Sequence, residues 1–171
     1  MEPINHVLLA LLPVFAYSLL RYRRLTTGSM ALVVVFAALF PDLVDKPLAW
    51  WLGVIPSGRM LAHSVLVAIP IIIGVLLFTY RTNRLPYAVG FSWGYLSHIA
   101  ADFYPIILQG REYYWYPNLF WPYMDPNPDP NPDFGYHFPF GVEFGYEFAV
   151  VLLLIGYITY DIRRRYSRET E

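Results

Sequence analysis

Five apolar stretches follow one another along the chain, separated by segments rich in arginine, proline or aspartate. They cover residues 4–20, 28–45, 60–79, 85–108 and 141–160. An α-helix needs about 20 apolar residues to cross the roughly 30 Å hydrocarbon core of a bilayer. The apolar part of the second stretch ends at Pro41 and falls short of that length. The pattern predicts an all-α, polytopic membrane helix bundle with about five spans, one of them short or re-entrant.

The segment before the last stretch, residues 109–140, is rich in tyrosine, tryptophan and proline. It includes the sequence DPNPDPNPDF at residues 125–134. Because repeated proline and Asn-Pro pairs disfavour a helix or a central strand, we expect an extended, exposed outer loop without chemistry of its own. The chain shows no linker or second domain, so we treat residues 1–171 as a single integral membrane domain.

Basic residues predict the orientation of the helices, because positive charges accumulate on cytoplasmic loops. If the amino terminus lies outside, only Lys46, Arg59 and Arg111 fall on the outer side. The remaining basic residues then all fall on the inner side: Arg21, Arg23, Arg24, Arg81, Arg84, Arg163, Arg164, Arg165 and Arg168. We therefore expect a multi-pass protein of the cell membrane with its amino terminus outside and its carboxyl terminus inside.

Composition narrows the class of protein and the kind of site. The chain is 57% hydrophobic and 15% charged, whereas a soluble domain carries about 25% charge, so a water-soluble monomer is excluded. A net charge of -1 leaves no basic surface for nucleic acid. The absence of cysteine excludes disulfides, thiolate metal sites and cysteine nucleophiles. Any metal must therefore be held by histidine and carboxylate side chains.

Six ionisable residues in or beside the apolar stretches fall at the same, outer face in this topology. An isolated ionisable group within a membrane segment costs at least about 2.5 kcal/mol, so such groups pair with one another or mark a functional site. Their convergence predicts a shared partner. The six are His6, Asp42, Asp45, His63, His98 and Asp102.

The spacing of these residues favours a metal ion as that partner. His98 and Asp102 are four residues apart and share one helix face, and Asp42 and Asp45 are neighbours if a helix runs through both. Imidazole and carboxylate bind Zn²⁺, which we expect here, and also Mn²⁺ or Fe²⁺. Because a metal-bound water with a lowered pKa attacks esters and phosphoesters, hydrolysis is the simplest chemistry that this set supports.

The predicted metal ligands are Asp42, His63, His98 and Asp102, together with His6. Asp45 either completes the ligand set or acts as the general base. Arg59 is placed to hold an anionic substrate, and an ion pair with Asp42 or Asp45 explains it equally well.

Each of these residues also has a purely structural explanation. His98 and Asp102 can form a hydrogen bond within one helix, and Asp42 can be a cap or turn residue. His63 can make a polar interhelical contact, and His6 can be solvated at the interface. The six together weaken these explanations, because polar groups scattered at random would not converge.

Three other ionisable residues lie near the end of the chain. Glu143 and Glu147 share one face of the last apolar stretch, where they can support the metal ligands, carry protons or bond to a neighbouring helix. His137 lies in the long loop, and we expect it to be a surface histidine.

Four motifs follow one another in a fixed order after the early His6: PDLVDKP at 41–47, GRMLAHS at 58–64, GYLSHIAADF at 94–103 and LFWPY at 119–123. Together they resemble the YdjM-type family of membrane-bound metal-dependent hydrolases. The resemblance extends from residue 5 to about residue 123. It implies an integral membrane hydrolase with a metal site at positions matching Asp42, Asp45, His63, His98 and Asp102. One departure is Gly58, where the family pattern often has a histidine before the arginine.

Our leading hypothesis is a hydrolase that cleaves a phosphoester or ester bond of a lipid or other amphipathic molecule near the outer leaflet, with the lipid bilayer as its partner. One alternative is a transporter or proton-coupled channel that uses the same histidines and aspartates, although transporter sites usually lie near the bilayer midplane. Another is a non-enzymatic membrane scaffold, marked by an ion pair of Arg59 with an aspartate and no open coordination position. The substrate, the metal and the oligomeric state stay open.

Overall fold

The computed structural model describes residues 3–130 and 142–169. Within these ranges the chain is helical, without strands, and the predicted all-α class is confirmed. The six α-helices are α1 (Pro3–Tyr22), α2 (Gly28–Lys46), α3 (Val65–Arg81), α4 (Leu85–Gln109), α5 (Tyr116–Leu119) and α6 (Val142–Glu169). A π-helical turn, Pro47–Trp51, extends α2, and a 3-10 turn, Tyr113–Trp115, precedes α5.

Among the described residues, two helical segments are long and apolar enough to cross a membrane: α1 and the continuous stretch Gly28–Trp51, formed by α2 and its π-helical turn. Helix α3 is apolar but has only 17 residues. The positions of the predicted apolar stretches agree with the observed long helices, whereas the count of five spans and the orientation of the termini stay predictions.

The second helix continues past Pro41, where its apolar part ends. Helix α2 continues through Pro41 to Lys46, so Asp42 and Asp45 lie three residues apart on the same helix. Proline removes one backbone hydrogen bond from a helix. A helix in a membrane bundle can continue through it because neighbouring helices compensate for the lost bond. The predicted short or re-entrant second span is therefore not seen.

Helix α3 begins five residues later than the apolar stretch that predicted it. Ser64 caps it, accepting a hydrogen bond from the backbone of Leu66 at 3.2 Å. The backbone N–H groups of Met60, Ala62 and His63 donate to the carboxylate of Asp45 instead of joining a helix. Residues 52–64 therefore form an irregular segment, here named the α2–α3 loop.

Small residues bring α2 and α4 into close contact. A Cβ atom added at Gly94 would lie 2.7 Å from the carbonyl oxygen of Val34 and 2.9 Å from Cβ of Ala37. One turn further along α4, Nδ1 of His98 donates to the carbonyl oxygen of Ala38 at 2.6 Å. We call this contact the α2–α4 seam, and it sets the depth at which His98 enters the bundle.

The other helices complete the bundle around this seam. Helix α1 packs on both α2 and α4, and the indole of Trp93 donates to the carbonyl oxygen of Ala10 at 2.9 Å. Helix α6 meets the start of α2, where the backbone N–H of Gly28 donates to Asp161 at 2.7 Å. The start of α1, the end of α2 and the second half of α4 therefore meet in one part of the bundle, away from Asp161.

The predicted loop at 109–140 is partly structured. Its described part contains the 3-10 turn and α5, which the sequence did not predict, and residues 125–130 lack regular structure, as the prolines indicated. Residues 131–140 lie outside the described ranges.

Candidate metal centre

Four of the six predicted residues meet at one point inside the bundle. Asp42, His63, His98 and Asp102 each offer a ligand atom, and these atoms all lie within 4.8 Å of one another. All four side chains are buried, the two imidazoles completely. The group draws on α2, the α2–α3 loop and α4, so residues far apart in the sequence converge.

The distances within this group suit a single small cation. Nε2 of His63 lies 3.1 Å from Nε2 of His98. Oxygens of Asp42 and Asp102 each lie 3.5 Å from Nε2 of His63 and 3.8 Å from Nε2 of His98. Ligand atoms at bonds of about 2.0–2.1 Å in a tetrahedral zinc site are about 3.3 Å apart. The four donor atoms therefore stand close to the spacing that one zinc ion requires.

Hydrogen bonds fix which imidazole nitrogen faces the centre. Nδ1 of His98 donates to the carbonyl oxygen of Ala38, and Nδ1 of His63 contacts the carboxylate of Asp45 at 2.9 Å. In a neutral imidazole the other nitrogen then carries a lone pair. With both imidazoles neutral, as metal binding requires, their Nε2 lone pairs and the two carboxylate oxygens would face one point. A cation held at that point would satisfy all four acceptors.

Asp42 gives a second sign that the centre fits a metal ion. Its Oδ1 faces the two imidazoles, is buried and has no hydrogen-bond partner among the described residues. Its Oδ2 is held by Nζ of Lys46 at 2.7 Å. Because a buried acceptor without a donor is costly, an oxygen oriented in this way is suited to bind a cation.

Asp45 lies outside the convergent group, although the sequence suggested it as a ligand or general base. It is fully buried, and its two oxygens accept hydrogen bonds from the backbone of Met60, Ala62 and His63 and contact the His63 imidazole. These bonds direct both oxygens to the loop backbone and to Nδ1 of His63, on the side of the ring away from the Nε2 atom that faces the centre. The structure places Asp45 behind His63, as the support of that imidazole.

His6 also lies one layer outside the group. Its ring stacks on that of His98 with centroids 3.9 Å apart, and its Nε2 lies 3.1 Å from Oδ1 of Asp102. The oxygen of Asp102 that faces the other imidazoles is Oδ2. His6 is therefore positioned to orient Asp102, and the early histidine does belong to the neighbourhood of the centre.

Arg59 forms an ion pair, but not with Asp42 or Asp45 as the sequence suggested. Its Nε lies 3.3 Å from Oδ2 of Asp102, and its guanidinium lies over the ring of Trp115 at 5.3 Å. The Asp45 carboxylate accepts hydrogen bonds from the loop backbone, and the Asp42 carboxylate forms an ion pair with Lys46. Arg59 therefore pairs with Asp102, the third carboxylate of this neighbourhood.

Gly58 accounts for the departure from the family pattern. A Cβ atom at this position would lie 3.1 Å from the indole ring of Trp50. A residue with a side chain would therefore require that ring to shift by a few tenths of an ångström.

The polar loop that follows α5 holds the α2–α3 loop in place, which the sequence did not predict. The carboxylate of Asp129 accepts hydrogen bonds from Trp50, Ser57 and the backbone of Gly58 at 2.7–2.9 Å. An aspartate in a proline-rich repeat looks like a solvated residue, so only its long-range contacts disclose this role. Glu143, Glu147 and His137 cannot be placed, because the side chains of both glutamates and all of His137 lie outside the described part of the chain.

The chain matches the YdjM inner membrane protein family over residues 1–168 and belongs to that family. No curated protein and no solved structure matches it. The family and the apolar helices together place the protein in a membrane.

Proposed function

We propose that this member of the YdjM family is a membrane-embedded, metal-dependent hydrolase that cleaves a phosphoester or ester bond. The observation that carries the proposal is the convergence of two imidazole nitrogens and two carboxylate oxygens within 4.8 Å in a buried position. The family name adds a membrane location to this geometry.

The metal would be held by Asp42, His63, His98 and Asp102. Four nitrogen and oxygen donors at near-tetrahedral spacing favour Zn²⁺, with Mn²⁺ and Fe²⁺ as the alternatives. A divalent ion in this place supplies a Lewis acid and lowers the pKa of a bound water toward neutrality.

The surrounding residues have distinct roles in this proposal. Asp45 holds the tautomer of His63 that presents Nε2 to the metal, and Ala38 does the same for His98 through its carbonyl oxygen. His6 orients Asp102. Arg59 contacts the substrate, because a guanidinium beside the centre matches a phosphate or carboxylate group.

The topology proposed from the basic residues puts the centre near the outer membrane face. In five spans with the amino terminus outside, the start of α1 and the end of α2 lie at the outer leaflet. A lipid or another amphipathic ester can then present its headgroup to the centre without leaving the bilayer.

Metal-dependent turnover tests the proposal. Detergent-purified protein is stripped with a chelator, reloaded with Zn²⁺, Mn²⁺ or Fe²⁺, and assayed on nitrophenyl phosphate, nitrophenyl acetate and micellar phospholipid. We expect hydrolysis by the reloaded protein, loss of both metal and activity in Asp102→Asn, and native behaviour in Asp125→Asn, which changes an exposed aspartate. Stoichiometric metal without turnover of any ester would contradict the proposal.

A structural metal centre in a membrane scaffold is the second candidate. The ion pair of Arg59 with Asp102, and four protein donors that can close a tetrahedral shell, are the features that favour it. A scaffold would lose stability when the metal is removed and would hydrolyse nothing. Thermal unfolding of the stripped protein, measured beside turnover, separates the two.

A further inference from the structure

Two positively charged side chains border the metal centre in matching ways. Lys46 contacts Asp42 at 2.7 Å, and Arg59 contacts Asp102 at 3.3 Å. Each cation therefore binds one of the two carboxylates of the centre. Unlike those carboxylates, both cations are partly open, with side-chain exposures of 24% for Lys46 and 28% for Arg59.

Aromatic rings hold both cations at this position. Nζ of Lys46 lies 5.6 Å from the ring centroid of Trp50, and the guanidinium of Arg59 lies 5.3 Å from that of Trp115. The Trp50 ring in turn packs against Gly58, the residue before Arg59. The Trp50 ring thus lies between the two partly exposed cations, in contact with Lys46 on one side and with the residue before Arg59 on the other.

The charge of the centre depends on the metal. Without it, the carboxylates of Asp42, Asp45 and Asp102 outnumber Lys46 and Arg59 by one. A divalent ion reverses the balance and leaves one net positive charge. Because a bound cation is the largest local charge and reverses the electrostatics around it, Lys46 and Arg59 change from neutralising carboxylates to attracting an anion.

We propose that Lys46 and Arg59 form an oxyanion clamp that selects a phosphate-bearing substrate over a neutral ester at the metal-loaded centre. This inference rests on the proposed metal site and narrows the proposed function to anionic phosphoesters. The Nε atom of Arg59 lies 3.3 Å from the same Asp102 oxygen that faces the imidazole of His63 at 3.5 Å. An anion held by the guanidinium therefore lies next to the metal.

Phosphorus NMR tests the clamp without turnover. The unpaired electrons of Mn²⁺ broaden the ³¹P signal of a phosphate that binds beside it, and Zn²⁺-loaded protein provides the diamagnetic control. The probes are inorganic phosphate in solution and phosphatidic acid in the detergent micelle. We expect broadening that saturates with Mn²⁺-loaded protein. Binding of either probe supports the clamp, and a preference for one shows whether the phosphate comes from solution or from a lipid.

Substitutions then identify the residues. Lys46→Met and Arg59→Met should each weaken phosphate binding at least about tenfold, since a hydrogen bond to a charged group contributes about 1.5–3 kcal/mol. Arg59→Lys, which keeps the charge, should retain most of the binding. Arg111→Gln, an exposed arginine outside the centre, should bind as the native chain does.

The outcomes separate this inference from the proposed function. Hydrolysis of a neutral ester without phosphate binding would overturn the clamp and leave the hydrolase standing. Phosphate binding without turnover would support the clamp and count against the hydrolase. Unchanged binding in both methionine variants, or loss of manganese from them, would overturn the clamp. A protein that takes up no metal would overturn both.

Discussion

The α2–α4 seam and the α2–α3 loop each supply part of the metal centre, and they position their ligands by different physical means. In the seam, regular helices meet at close range, and helical spacing together with the hydrogen bond of His98 to Ala38 sets Asp42, His98 and Asp102 at one level. The loop has no helical hydrogen bonds, so the carboxylates of Asp45 and Asp129 fix its backbone by accepting hydrogen bonds from its N–H groups. His63 is therefore placed by hydrogen bonds to Asp45, and the ligands of the seam are placed by packing.

This difference shows that two aspartates three residues apart on one helix perform opposite tasks. Asp42 directs an oxygen without a donor toward the centre, whereas Asp45 has both oxygens occupied by the loop. The first is suited to bind a cation, and the second builds the fold around it.

Asp45→Asn should be the most damaging single change. It replaces a buried acceptor of three backbone N–H groups with a side chain that offers a donor of its own, so we expect a loss of about 3 kcal/mol or more in the free energy of unfolding. Metal affinity should fall by at least about tenfold, because the His63 tautomer loses its partner. Denaturant unfolding and metal titration in detergent measure both quantities.

Asp42→Asn provides the matched control on the same helix. It should abolish metal binding while changing the stability of the metal-free protein by less than about 1 kcal/mol, because its ion pair with Lys46 is partly exposed. If Asp45→Asn instead spared stability and abolished metal binding, Asp45 would be a ligand and the distinction would fail.

Gly94→Ala should disturb the seam. The added methyl group meets the backbone of Val34, and overpacking of this kind costs about 1–3 kcal/mol. Gly74→Ala, in α3, is the control, since nothing lies within 4 Å of its Cβ position. That variant should be neutral or slightly more stable. Equal unfolding temperatures for the two variants would show that the helices do not meet as closely as described.

Asp129→Asn should loosen the loop and leave the seam intact. Three donors lose a charged acceptor, but the site is only half-buried, so we expect about 1–2 kcal/mol of destabilisation and a metal affinity lowered several-fold. Hydrogen exchange should become faster in residues 52–64 and stay unchanged in α4. Faster exchange in both regions would mean that the two are not independent.

Asp161→Asn should have the smallest effect, because it lies at the other end of the bundle. Partial burial tends to raise the pKa of Asp161, but the hydrogen bond from Gly28 and the ion pair with Arg165 outweigh it, so its pKa is lowered. Its contribution, below about 1 kcal/mol, is present above the unfolded pKa of about 3.9 and is lost as the pH falls through the lower folded value. The variant and the native chain should thus converge in unfolding temperature at low pH, with metal content unaffected at neutral pH. A change in metal content would show coupling between the two ends.

The sequence predicts the regular half of the molecule well and the irregular half poorly. Continuous apolar stretches placed helices such as Pro3–Tyr22 and Leu85–Gln109 within a few residues, because the hydropathy of a segment is a local property of the chain. The four convergent residues were also predictable, since ionisable groups in apolar stretches need partners.

What the sequence missed depends on contacts between distant segments. The start of α3 was placed too early because the N–H groups of residues 60–63 go to Asp45, which no local pattern reveals. The role of Asp129 and the partners of Arg59 were missed for the same reason. The small residues of the seam can be seen in the sequence, but they indicate close helix packing only once it is known that α2 and α4 meet there.

Elemental analysis of the detergent-purified protein shows whether the four convergent side chains hold an ion. We expect one divalent transition metal ion per chain in the native protein, retained in Asp125→Asn and lost in Asp42→Asn. A native protein that holds no stoichiometric metal after purification and reconstitution, or an Asp42→Asn variant that holds as much as the native chain, would contradict it.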